Sequence, residues 1–206
     1  DYSHEDDSAR GEYPIIVNLV RPHSRVIDLG CGNGALLALL KKEKNVRGVG
    51  VEISESGVKQ CKRHKIKVRR SRIDEPLPFK DNAFDYAICN VTLQMVMYPE
   101  VLLKEMKRVA RYQIVSFPNF AFWRNRLELL LKGRMPWKML FGYSWYATGH
   151  IHQLSFVDFE QLVHDVGGIR IVKQEIQHTE NPLKNVLLRR YPNFFQMLGV
   201  YLLEKV

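Results

Sequence analysis

The chain has 206 residues, 46% of them apolar and 26% charged, with a formal net charge of +9. That length suits one domain with a sizeable core, and no apolar run approaches the ~18 residues of a membrane-spanning helix. The opening residues lack the apolar core of a signal peptide. Three scattered cysteines, Cys31, Cys61 and Cys89, show no metal-ligand spacing and read as reduced thiols of a cytoplasmic protein.

Residues 1–12 read as a flexible acidic tail, with Asp1, Glu5, Asp6 and Asp7 in the first seven positions and no Lys or Arg among them. The folded domain is expected over 13–206. Residues 13–21 have the period of an amphipathic helix stopped by Pro22. The apolar run 25–29 then reads as a buried strand that passes into Gly30, Gly32 and Gly34 and a helix from Ala35 to Lys42. This is the βα turn of a doubly wound sheet, where ligands bind outside the carboxyl ends of the strands. Gly30 allows a sharp turn, Gly32 a close approach of backbone to ligand, and Gly34 the packing of helix on strand. Cys31, between them, either lines the ligand or is a small filler.

A second strand, 47–51, ends at Glu52, eighteen residues past Gly34 and followed by Ile53. An acid about 20 residues past such a turn holds a ribose diol, so the chain is expected to bind a nucleoside-bearing cofactor. NAD is not excluded by spacing, because Ala35 fills the third small position. Asp28, just before the first glycine, weighs against a pyrophosphate and suits a cationic ligand. Asp-x-Gly-x-Gly-x-Gly resembles the first motif of class I S-adenosylmethionine (SAM) methyltransferases, whose cofactor carries an amino group and a sulfonium.

Ser54 is placed to cap a helix over 55–64, and strand 66–70 follows. Lys62, Arg63, Lys65, Lys67, Arg69, Arg70 and Arg72 gather here. A nucleic-acid patch is one explanation. The better one is a sheet edge, where Lys and Arg blunt edge pairing, because no aromatic residue interleaves with these charges to stack on bases. The turn-rich stretch 74–82 leads to strand 83–89 and Asn90. Pro99 opens a helix through about Val109, and strand 112–117 ends at Pro118.

Residues 119–152 break the alternation and carry all three tryptophans, Trp123, Trp137 and Trp145. They form an insertion after the fifth strand. Its first part, Trp123–Lys132, is helical with Leu127, Leu130 and Leu131 on one stripe. The aromatic run from Met135 and Pro136 through Phe141, Tyr143, Trp145 and Tyr146 caps a pocket as a lid, forms a local mini-core, or makes a partner interface. Helix 156–166 and two strands, 168–176 and 197–205, close the sheet as an antiparallel pair. The fold class is therefore α/β, Rossmann-like: seven strands, mostly parallel and doubly wound, with an antiparallel last strand. His150 and His152 are the candidate bases. An HxH pair can bind metal, but no third ligand of suitable spacing accompanies it, and no metal is expected.

Three blocks carry a closer resemblance: Val26–Gly34; Ser116–Phe120 with Trp123–Leu127 and Gly133–Pro136; and Trp145–Thr148 with Ile151-His152. Together they resemble the MetW family, and the resemblance covers about residues 13–206. It implies a methyltransferase-like fold associated with methionine biosynthesis, a SAM cofactor, and action beside homoserine O-acetyltransferase. It implies that Asp28, Gly30, Gly32 and Gly34 shape the methionine end of SAM and that Glu52 takes the ribose hydroxyls. Where the family places Gly-Asp-Leu-Asp after the third strand, this chain has Ser71-Arg72-Ile73-Asp74, so Arg72 replaces the acid expected at adenine, and Asp74 or a backbone N–H takes its place. Asn90 stands where many methyltransferases face the transferred methyl group.

Three functions follow as expectations. The first is a SAM-dependent methyltransferase acting on a small-molecule acceptor. The second is a non-catalytic partner that binds and activates homoserine O-acetyltransferase. The third, disfavoured by the uninterrupted basic run, is a nucleic-acid methyltransferase. Fold alone does not choose among them.

Overall fold

The computed structural model describes residues 10–136, 145–175 and 181–206, with the side chains of residues 182–184 left aside. Trp137, Phe141, Tyr143 and most of the acidic tail lie outside the described residues. Seven strands form one sheet: β1 Arg25–Leu29, β2 Arg47–Glu52, β3 Val68–Arg70, β4 Phe84–Asn90, β5 Ala110–Pro118, β6 Ile169–Glu175 and β7 Leu198–Lys205, in the order β3-β2-β1-β4-β5-β7-β6. The strands β1 to β5 pair in parallel. β7 runs antiparallel to both of its neighbours, β5 and β6. β3 is the edge strand that the basic run suggested, and it is only three residues long.

Alternation along the central strands feeds two cores. Val26, Tyr86, Ile88 and Ile114 face the helices α1 Tyr13–Leu19 and α2 Ala35–Lys44. Ile27, Leu29, Ala87, Val115 and Phe117 face α4 Pro99–Val109 and α6 Phe156–Val166. Phe117 meets Phe156, Phe159 and Tyr201 with ring centroids 4.7–5.8 Å apart. A large side chain buried in this way contributes ~1.5–3 kcal/mol. Ser155 and Asp158 cap α6 reciprocally, and Ser54 caps α3 Glu55–Arg63 as expected.

Differences from the sequence reading have local causes. α1 stops at Leu19 because Val20 is already extended, two residues ahead of Pro22, whose ring disfavours helical backbone before it. β3 begins at Val68 rather than residue 66, since Lys65 takes a left-handed φ of 57° and delays the strand. Between β6 and β7 lie two unanticipated helices, α7 Pro182–Arg190 and α8 Pro192–Phe195, each opening on a proline. The insertion helix α5 Trp123–Lys132 has the expected bounds, but of its residues only Asn125 is buried. Leu130 and Leu131 are 78% and 75% exposed.

Candidate cofactor site

The carboxyl ends of β1, β2, β4 and β5 bring Asp28, Glu52, Asn90 and Ser116 to one edge of the sheet. Gly30 turns the chain off β1 at φ 80°, and its amide donates to the Val51 carbonyl at 2.8 Å. A Cβ at Gly30 would lie 2.6 Å from Thr92, so this glycine admits the end of β4 as well as the turn. What lies over Gly34 is Cys61 and Ile66, not the strand its helix was expected to press against.

Glu52 is 3% exposed and braces the turn. Its carboxylate accepts from the Gly32 amide at 2.9 Å and from the Ser54 amide at 2.7 Å. Asp28 is 2% exposed, and its Oδ1 is buried with no hydrogen-bond partner. Burial, reinforced by the nearby Glu52 charge and opposed by Arg10, pushes its carboxyl up to about 7. Glu12, assigned by composition to the flexible tail, is instead 6% exposed and accepts from Asn90 Nδ2 at 3.1 Å. Three carboxylates are thus buried at one edge of the sheet. Such a cluster repels pyrophosphate and fits a cation, and an orphaned buried carboxylate oxygen calls for a donor.

The other expected residues are placed as follows. Asn90 is held between Glu12 and the Ser116 hydroxyl, which donates to Asn90 Oδ1 and accepts from the Val91 amide. Val91 adopts φ 49°, a strained conformation for a β-branched residue. Ile53 is 57% exposed beside Glu52 and offers an apolar face. Arg70 secures the carbonyl of Ile53 at 3.1 Å. Arg72 does not reach out as a free cation: its guanidinium clasps Asp74 at 2.9 and 3.1 Å and Glu75 at 2.9 Å. Asp74 also accepts from the Met97 and Tyr98 amides, at 2.9 and 3.3 Å. Burial pushes Asp74 up, but these hydrogen bonds outweigh it and hold the carboxyl below its ordinary value. Asp74 therefore pins the loop leading into α4. Cys31 turns its sulfur towards Cys61 and Gly50, behind the turn.

His150 and His152 lie on a segment docked over the 3₁₀ turn Leu93–Met95, with the Ile151 and His152 amides bonded to the Gln94 carbonyl at 2.8 and 3.1 Å. His150 packs edge-on against Phe120, and burial pushes its imidazole pKa down. Glu12 and Ser116 are the residues the sequence reading left out of the site. Ser116 had a signal, a polar residue inside an apolar strand; Glu12 had none. A separate cavity of about 700 Å³ opens at the opposite, amino-end edge, rimmed by Arg25, Lys41, Arg47, Lys65 and Lys67. None of the buried carboxylates lines it, so it is not the candidate site.

The sheet order, the glycine turn and the acid ending β2 define a class I SAM-dependent methyltransferase-like fold. A protein from Pyrococcus horikoshii superposes with a TM-score of 0.71 at 16% identity, covering 100% of this chain and 96% of that one. Magnesium protoporphyrin IX methyltransferase from Synechocystis, solved with bound S-adenosylhomocysteine (SAH), gives 0.66 at 18% identity over 94% and 82%. Residues 10–203 match the family described as methionine biosynthesis protein MetW, and the chain belongs to that family. A bifunctional methionine biosynthesis protein MetXA/MetW from Rhodopirellula baltica is 34% identical over 170 residues. The match takes in 78% of this chain but only 27% of that relative. Among the described residues no helix is long and apolar enough to cross a membrane.

Proposed function

We propose that this chain binds SAM at the carboxyl edge of its sheet and transfers the methyl group to a small-molecule acceptor in the service of methionine biosynthesis. The observation that carries the cofactor assignment is the buried, unpartnered Oδ1 of Asp28 among carboxylates. Asp28 takes the ammonium group, Glu52 the ribose hydroxyls through its remaining lone pairs, and exposed Ile53 an apolar face of the adenine. When bound, SAM supplies a methyl group already activated on sulfonium. Transfer then needs an in-line acceptor held within about 3–3.5 Å more than it needs a strong base.

A second reading has its own support. The Rhodopirellula relative joins a MetW portion to a MetXA portion in one chain, and α5 presents Leu127, Leu129, Leu130 and Leu131 to solvent. In that reading the chain binds SAM and docks on homoserine O-acetyltransferase to activate it. Calorimetry with SAM, SAH and NADH tests the cofactor: micromolar SAM binding supports it, and binding of NADH in place of SAM overturns it. Methyl transfer from labelled SAM into a metabolite extract, measured beside acetyltransferase activity with and without the chain, separates the two readings.

A further inference from the structure

Cys31 and Cys61 bring their sulfurs within 3.7 Å of each other in the space behind the glycine turn. Both thiols are free. Their space is made by glycine: a Cβ at Gly50 would lie 2.4 Å from the Cys31 sulfur, and one at Gly34 would lie 3.0 Å from that of Cys61. The Cys61 thiol also donates to the Gly32 carbonyl at 3.3 Å, while the Gly32 amide is the group held by Glu52. One thiol therefore belongs to the ligand turn, and the other buttresses it from α3.

We infer that Cys31 and Cys61 are a site of reversible oxidation, closing to a disulfide that lowers the affinity of the turn for its ligand. The inference rests on the SAM reading. Hydrogen peroxide supplies the oxidising equivalents. The two S–H bonds and the O–O bond break, one S–S bond forms, and the two thiol hydrogens leave in two waters. Each sulfur gives up one electron to the peroxide. Entry is through Cys31, which is 7% exposed, whereas Cys61 is fully buried. The mutual hydrogen bond holds the Cys61 thiol below its ordinary pKa and pushes that of Cys31 up, making Cys61 the more acidic partner.

A disulfide needs an S–S distance of about 2.05 Å, so the sulfurs must approach each other by well over an ångström. The Cys31 backbone is held in place, its amide donating to the Val51 carbonyl at 3.1 Å and its carbonyl accepting from the Gly34 amide at 2.9 Å, so any approach that side-chain rotation does not absorb strains these bonds. The closure is therefore transmitted to the turn. It also removes the thiol proton that caps the Gly32 carbonyl. Cys89, buried on β4, shares none of these contacts and stays outside the pair.

The test treats the full chain with hydrogen peroxide, with and without SAM, and maps disulfides by mass spectrometry without reduction. A peptide linking Cys31 to Cys61 is expected, lost in Cys31→Ser and in Cys61→Ser and kept in Cys89→Ser. The oxidised chain should bind SAM at least tenfold more weakly, and dithiothreitol should restore the affinity. Failure to find the 31–61 link, a link that leaves affinity within twofold, or oxidation that unfolds the chain each overturns the inference. If the reduced chain binds no SAM, the cofactor reading fails on its own. The inference is then judged by the link and by hydrogen exchange at residues 30–34, where an unchanged rate in the oxidised chain overturns it.

Discussion

Replacing Asp28 with Asn tests whether the site is built for a cation. The side chain is 2% exposed and its carboxyl is pushed from an ordinary 3.8 to about 7. A folded-state pKa above the unfolded one favours the protonated form. The fold therefore carries no penalty below pH 3.8, an increasing one as pH rises towards 7, and a constant one above. About three tenfold steps at ~1.4 kcal/mol each set a ceiling of ~4 kcal/mol. Asn keeps the shape and removes the charge, but it buries an amide whose lost hydrogen bonds cost ~1–3 kcal/mol. The ligand-free variant should thus be more stable than wild type by ~1–3 kcal/mol at pH 8, raising Tm by several degrees for a chain this size. That advantage should vanish near pH 4.5, and SAM affinity should fall at least tenfold. Paired thermal melts at the two pH values, with calorimetry at pH 8, measure both effects. A variant that melts at or below wild type at pH 8 would refute the buried-charge argument, and one that binds SAM normally would refute the role of Asp28.

SAM affinity of the wild type should climb about tenfold between pH 6 and pH 8 as Asp28 ionises, and should be flatter in Asp28→Asn; calorimetry across that range checks it, and a flat wild-type profile counts against it. Glu52→Ala, which strips the acceptor from the Gly32 and Ser54 amides, should weaken SAM binding by ~1–3 kcal/mol with circular dichroism unchanged. Arg69→Glu should leave SAM affinity untouched, whereas Arg70→Ala should weaken it slightly by releasing the Ile53 carbonyl; equal losses from both would point to a general charge effect. The double variant Leu130→Ser, Leu131→Ser should keep its stability within ~0.5 kcal/mol, as exposed positions do. If the activator reading holds, it should also lose any stimulation of homoserine O-acetyltransferase, and retained stimulation would place the interface elsewhere.

The elements that position the site were legible because they obey short-range rules. An apolar run followed by glycines, an acid at a fixed interval and a serine before a helix are all local signals, and each lies where it was expected. What escaped is non-local. Glu12 belongs to the site because α1 carries it back across 78 positions to Asn90, and nothing in an acidic leader announces that. Arg72 read as an intruder at adenine, yet Asp74, two residues on, neutralises it. The leucines of α5 had the right period for a buried face. Periodicity reports that an apolar stripe exists, not whether this chain supplies the surface that covers it.

The position of β7 bears on how the chain reaches this state. β7 comes later in the chain than β5 and β6 yet lies between them, so neither neighbour has that partner until residues 198–205 are in place. Until then β5, which carries Ser116 and Phe117, presents an open edge from its start to Pro118. Contacts that distant in sequence form slowly, and unpaired edges in the interval invite association with other chains. The pairing of β5 with β7 is thus a late event. Pulse-labelled hydrogen exchange during refolding should find the amides of β5 that bond to β7, 80–92 positions away, protected only after those linking β1 to β4, 60 positions apart, and early protection there would reverse the order.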